Sequence, residues 1–176
     1  MRHIKFAAAI VIALTLLAGA ATAQKKPVKK PAPKKPPVTK TVVPPLDVRV
    51  AREKVDTQLA NVNRFVDVLG PIAQAIETLD ASNAVKKLPP ETVAKNDANK
   101  AKVIEAIRNL KAGLATLESE FRTKTSLAKY LPSIQGITDL AAQSEDSAIA
   151  GKFVAAKEPL RDVAKKLTDT LAAMPL

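Results

Sequence analysis

The side chains that most often do chemistry near neutral pH are almost missing. Of 176 residues none is Cys or Trp and one is His. That imidazole, His3, falls in the amino-terminal export segment argued below, so the processed chain is expected to carry neither imidazole nor thiol. This set rules out the usual general base at pH 7, a serine triad, a thiolate nucleophile and histidine- or cysteine-held zinc or haem. Carboxylates remain for acid–base work or a hard cation. Glu118 and Glu120 are two apart, so on a helix they point to different faces. Glu145-Asp146 fits the start of a helix, where anions favour the macrodipole. Glu158 and Asp162 share a face, but Arg161 and Lys165 adjoin them, which is the pattern of a solvated charged surface. Tyr130 reads as a packing residue and Met174 as core or frayed end. No Glu-x-x-His pair occurs, and no phosphate-cradling loop is built from the five glycines. No catalytic, metal or cofactor residue is assigned, no cofactor is expected, and the chain reads as not an enzyme.

The remaining chemistry is cationic. Lys25-Lys26-Pro27, Lys29-Lys30-Pro31 and Lys34-Lys35-Pro36 recur in a stretch, 24–45, that holds seven lysines and no acid. The formal net charge of +11 therefore describes an arm. Of 28 basic residues two lie in 1–23 and seven in 24–45, which leaves 19 to face all 17 acidic residues over 46–176. Such composition cannot form a packed core, and its prolines favour extended polyproline II. At ~3.1 Å per residue the arm could span up to ~68 Å. The run resembles, in composition alone, the spacers of some envelope-spanning proteins and the tails of linker histones. It lacks the aromatic and arginine side chains that stack on bases, so nucleic acid is not an expected partner. Lys25, Lys26, Lys29, Lys30, Lys34 and Lys35 are instead the candidate contacts to an anionic surface.

Residues 1–23 carry the three parts of a secretory signal: Arg2, His3 and Lys5, then an apolar run from Phe6 to Ala18 broken only by Thr15, then Ala21-Thr22-Ala23 before a cleavage point at Gln24. The alternative is an uncleaved anchor, because the uncharged run 6–23 is near the lower limit for a bilayer span. Both readings take the rest of the chain out of the cytoplasm. They point to a bacterial source and a periplasmic or secreted destination, with membrane contact at most peripheral once the signal is cut.

Residues 46–176 read as four amphipathic segments. Val55, Leu59, Val62, Val66, Leu69, Ala73 and Ile76 form the first seam, with Asp47 as N-cap and a kink expected at Gly70-Pro71. Residues 80–96, rich in Asp80, Ser82, Asn83 and Pro89-Pro90, read as a connection. Val103, Ile107, Leu110, Leu114, Leu117 and Phe121 form the second seam. Leu127, Leu131, Ile134, Ile137 and Leu140 form a third, interrupted by Pro132. The fourth runs Ile149, Phe153, Ala156, Leu160, Val163, Leu167 and Met174, capped by Ser144 or Ser147 and bent at Pro159. With only 3% aromatic residues the core must be aliphatic. The expectation is all-α: an antiparallel four-helix bundle with proline-kinked helices behind a disordered Lys/Pro-rich tether. Exported four-helix bundles include haem proteins, and this architecture resembles theirs, but the axial histidine and the Cys-x-x-Cys-His attachment are missing, so the haem function does not carry over. The expected role is non-catalytic binding or structure at the cell envelope. The alternative is protein–protein contact or self-association with the tether inert, for which Val93, Ile104 and Val154 are candidates for an extra apolar stripe.

Overall fold

A computed structural model describes residues 44–176, and these are all-helical, with no strand among them. The export segment, Lys25, Lys26, Lys29, Lys30, Lys34, Lys35 and the rest of 1–43 lie outside the described residues. The long helices are α1, Leu46–Lys86, and α2, Pro90–Thr123. A 3₁₀ turn, Thr125–Tyr130, and the single-turn α3, Leu131–Ile134, follow. Then come α4, Ile137–Ile149, and α5, Lys157–Ala173. At the helical rise of about 1.5 Å per residue, α1 and α2 are about 61 and 51 Å long, against about 20 Å for α4 and 26 Å for α5.

The first two seams are the buried faces of α1 and α2. Val55, Val62, Leu69, Ala73 and Ile76 are buried on α1, and Val103, Ile107, Leu114, Leu117 and Phe121 on α2. α1 packs on α2 and α5, α2 also packs on α4, and α4 packs on α5, closing a ring of four contacts. Side-chain bonds give the directions. Arg52 on α1 donates to the carbonyls of Leu171 (2.5 Å) and Met174 (2.9 Å), while Glu77 accepts from the Val154 amide (2.8 Å), so α5 runs against α1. Lys54 pairs with Glu120 near one end of the α1–α2 pair and Asn96 bonds Asp80 near the other.

The structure corrects five local readings. Residues 80–96 are not a connection: only Lys87–Pro89 lie between α1 and α2. Their polar residues join helices instead of breaking them. Asn96 donates to Asp80 Oδ1 at 2.8 Å, and Asn83 accepts the Leu88 amide at 3.0 Å, closing the α1 terminus. Pro90 opens α2, where a missing N–H costs nothing. Asp47 is not the N-cap of α1; Pro45 holds that position and Asp47 lies in the first turn. The fourth seam is divided, because Ile149 ends α4 while Leu160, Val163 and Leu167 belong to α5. Ser144 is buried mid-helix and donates to the Ala156 carbonyl at 2.7 Å, and Ser147 donates to Gln143, so neither caps. Pro159 stands in the first turn of α5, where no intrahelical acceptor awaits its N–H, and so it has no bond to break. Pro132 likewise opens α3.

Candidate functional site

The carboxylates that sequence singled out are separated by the fold, and most are taken up by it. Glu118 is buried and reaches from α2 across to the start of α4. Its oxygens accept the Gly136 amide (3.1 Å), the Thr138 amide (3.1 Å), the Thr138 hydroxyl (2.7 Å) and Arg122 Nη2 (2.9 Å). Gly136 has φ +90°, the left-handed conformation glycine takes without strain, which turns its amide toward the carboxylate. A side chain from one helix thus caps the next, and its charge sits at the positive end of α4. Burial works to raise the Glu118 pKa, but the Gly136, Thr138 and Arg122 donors outweigh it and hold it below the ordinary value.

Glu145 is also buried, and it lies toward the end of α4, not at a helix start as its neighbour pair suggested. Lys111 and Arg108 of α2 both bond it and lower its pKa against the effect of burial. Glu120, two residues from Glu118, points to α1 as the spacing required. Its pairing with Lys54, with a weaker contribution from Lys124, lowers its pKa in the same way. Glu158 pairs with Arg161 at 2.7 Å on an exposed face that also carries Asp162 and Lys165. Tyr130 and Met174 are both buried in the core. Among the described residues no three His, Cys, Asp or Glu side chains gather as metal ligands would, and no helix is long and apolar enough to cross a membrane.

No protein-family model, curated protein or solved structure matches this chain. Function must therefore be argued from the surface. A long groove runs between α1 and α2. Its two halves, about 550 and 460 Å³, share Gln58 and Gly113 as common walls. A Cβ on Gly113 would meet the side-chain amide of Gln58 at 3.2 Å, so the glycine leaves room for that side chain. Val50, Lys54, Leu117 and Glu120 line one half, and Arg64, Phe65, Val68 and Leu110 the other.

The three residues offered for an extra apolar stripe do not make one. Val93 and Ile104 are half-buried on α2 and Val154 is exposed in the turn before α5. The stripe lies on α1 instead: Leu46, Val50, Val68 and Ile72 are exposed on one side. The signal was in the sequence. These residues keep a helical spacing of their own beside the seam, and attention to the stronger seam hides them.

Proposed function

We propose that this chain is an exported, non-catalytic helical-bundle protein of the bacterial cell envelope, and that its cationic arm contacts anionic envelope polymer or lipid through Lys25, Lys26, Lys29, Lys30, Lys34 and Lys35. The observation that carries the reading is the partition of charge: seven lysines and no acid over 24–45, against a near balance over 46–176. The engagement of both oxygens of Glu118 and of Glu145 in bonds between helices supports a scaffold role for the folded part, since a proton-transferring group needs a free oxygen. The ring of contacts among α1, α2, α4 and α5 supports an antiparallel four-helix bundle, and Pro71 within α1 supports a bend there.

Each lysine near an anionic surface contributes about 1 kcal/mol at most, and the attraction fades as salt shortens the Debye length. The test is co-sedimentation of the purified chain with vesicles containing phosphatidylglycerol and with envelope fragments, with and without residues 24–45. Binding should be strong at low salt, vanish at high salt and need the arm. Equal binding by the arm-deleted form at low salt overturns the proposal.

A further inference from the structure

Beyond its buried seam, α1 carries a second stripe, which Val50, Thr57, Asn61 and Val68 place along the rim of the α1–α2 groove. Leu46, Val50, Val68 and Ile72 are 66, 38, 52 and 37% exposed, and they make up half of the large apolar side chains left exposed among the described residues. Isolated exposed apolar residues need no explanation, but a row along one helix marks a contact surface. Thr57 and Asn61 continue the row between the two apolar pairs, at the same helical spacing and also exposed.

The row reads alike from either end. A two-fold axis crossing α1 level with Leu59 carries Leu46 onto Ile72, Val50 onto Val68 and Thr57 onto Asn61. The same rotation sets Glu53 within one residue of level with Arg64 and Arg49 within two residues of level with Asp67, about 1.5 and 3 Å along the helix. All four charged residues are exposed, and among the described residues none has an ion-pair partner. Lys54, which the rotation sets level with Arg64, is already turned to α2 and paired with Glu120.

We infer that this face of α1 receives a second copy of the chain, its α1 laid antiparallel across the two-fold axis. Such an isologous contact uses one patch twice, which is what a self-complementary pattern provides and what an unrelated partner would not require. Leu46 meets Ile72 and Val50 meets Val68 at both ends. Thr57 and Asn61 hydrogen-bond in the middle, where a polar pair fixes register. Glu53–Arg64 and Arg49–Asp67 flank the contact, each twice, and penalise parallel or slipped pairings. The inference does not rest on the arm: deleting 24–45 should leave pairing unchanged.

Sedimentation velocity of the purified chain over a concentration series tests it, with circular dichroism confirming helix content. A monomer–dimer equilibrium is expected, and Val50→Glu with Val68→Glu should leave monomer. Glu53→Arg or Arg64→Glu alone should weaken the dimer roughly tenfold, since two exposed pairs each become repulsive. The double swap should restore it. Because the chain has no cysteine, mixing Val50→Cys and Val68→Cys proteins should give the mixed disulfide. Val50→Cys alone should give none, its copies lying about 27 Å apart along the paired helices. A monomer at millimolar concentration, a dimer indifferent to the stripe substitutions, a double swap that fails to restore, or a self-disulfide at position 50 would each overturn the proposal.

Discussion

Compare the two ends of α2. Toward Thr123, Leu117, Glu118 and Phe121 are buried among Leu127, Tyr130, Ile134 and Ile137, and Glu118 ties three later backbone and side-chain donors to its helix. Toward Pro90 the same helix has little to lean on. Between Ile76 and Val103 only Asn96 is buried, and past Glu77 the cross-helix bonds of α1 run to α2 alone. One end is held by an aliphatic core with a charged cap, the other by a short polar clasp of Asp80, Asn96 and Lys100. Local stability follows the apolar area that opening exposes. The clasped tip should therefore open far more readily than the capped base, on the timescale read by amide exchange.

The largest expected effect tests that contrast directly. Phe121→Ala empties a site in the core and should cost about 3–5 kcal/mol in urea unfolding. Leu88→Ala, at a half-buried tip position, should cost under about 1 kcal/mol and speed amide exchange around residues 80–100 only. Comparable losses from the two substitutions would mean that tip and base unfold as one unit and would break the comparison.

Glu118→Ala comes next, at about 2–3 kcal/mol, because it strands the Gly136 and Thr138 donors and frees Arg122. The effect is pH-dependent. The pKa values of Glu118, Glu120 and Glu145 are all lowered in the folded chain. Their contribution is thus complete above the unfolded carboxyl pKa and is lost as pH falls from about 5 through the lowered values. Glu118→Gln should flatten the acid limb of a stability–pH curve while keeping the α4 cap in part. A curve unchanged by Glu118→Gln would assign the acid sensitivity to Glu120 and Glu145. At the tip, Lys100 has a raised pKa, chiefly through its bond to Asp80, so the clasp holds until strongly alkaline pH.

The base was legible in the sequence and the tip was not, for a physical reason. Helical periodicity reports apolar burial, so Val103, Ile107, Leu114, Leu117 and Phe121 announced α2 wherever a core lay beneath it. Where the two helices meet through polar groups, the period disappears and Asp80, Asn83 and Asn96 look like loop residues. The same blindness divided the fourth seam. Phe153 and Ala156 are buried like helical core residues but sit in the turn before α5. The partners of Glu118 were beyond reach, since nothing local in Glu118-Ser119-Glu120 says that Gly136 and Thr138 will arrive beside it. That Glu118 and Glu120 face different elements, by contrast, follows from spacing alone.

Within the tip, Asn96→Ala should cost about 1 kcal/mol, smaller than any loss at the base. It removes the bonds to Asp80 and to the Ile76 carbonyl, yet Asn96 Oδ1 has no partner of its own, so part of the cost of burying the amide is recovered. Amide exchange near Ile76–Lys86 should quicken while the unfolding midpoint barely moves.

The smallest effect runs the other way. Lys87, between α1 and α2, has φ +47°, a conformation in which a side chain crowds the backbone and costs about 1–2 kcal/mol. Glycine there would relieve that crowding but lose about 0.5–1 kcal/mol more backbone entropy on folding. The difference predicts that Lys87→Gly stabilises the tip by about 0.5–1 kcal/mol, slows exchange at the Asn83 and Leu88 amides, and leaves Phe121 and its neighbours unchanged. The helix end itself needs no lysine, because Asn83 already supplies the acceptor for the Leu88 amide and for the Lys87 amide through its carbonyl. If Lys87→Gly destabilises the chain, the lysine side chain contributes an interaction that outweighs its strain, and the tip is held by more than the Asp80–Asn96–Lys100 clasp.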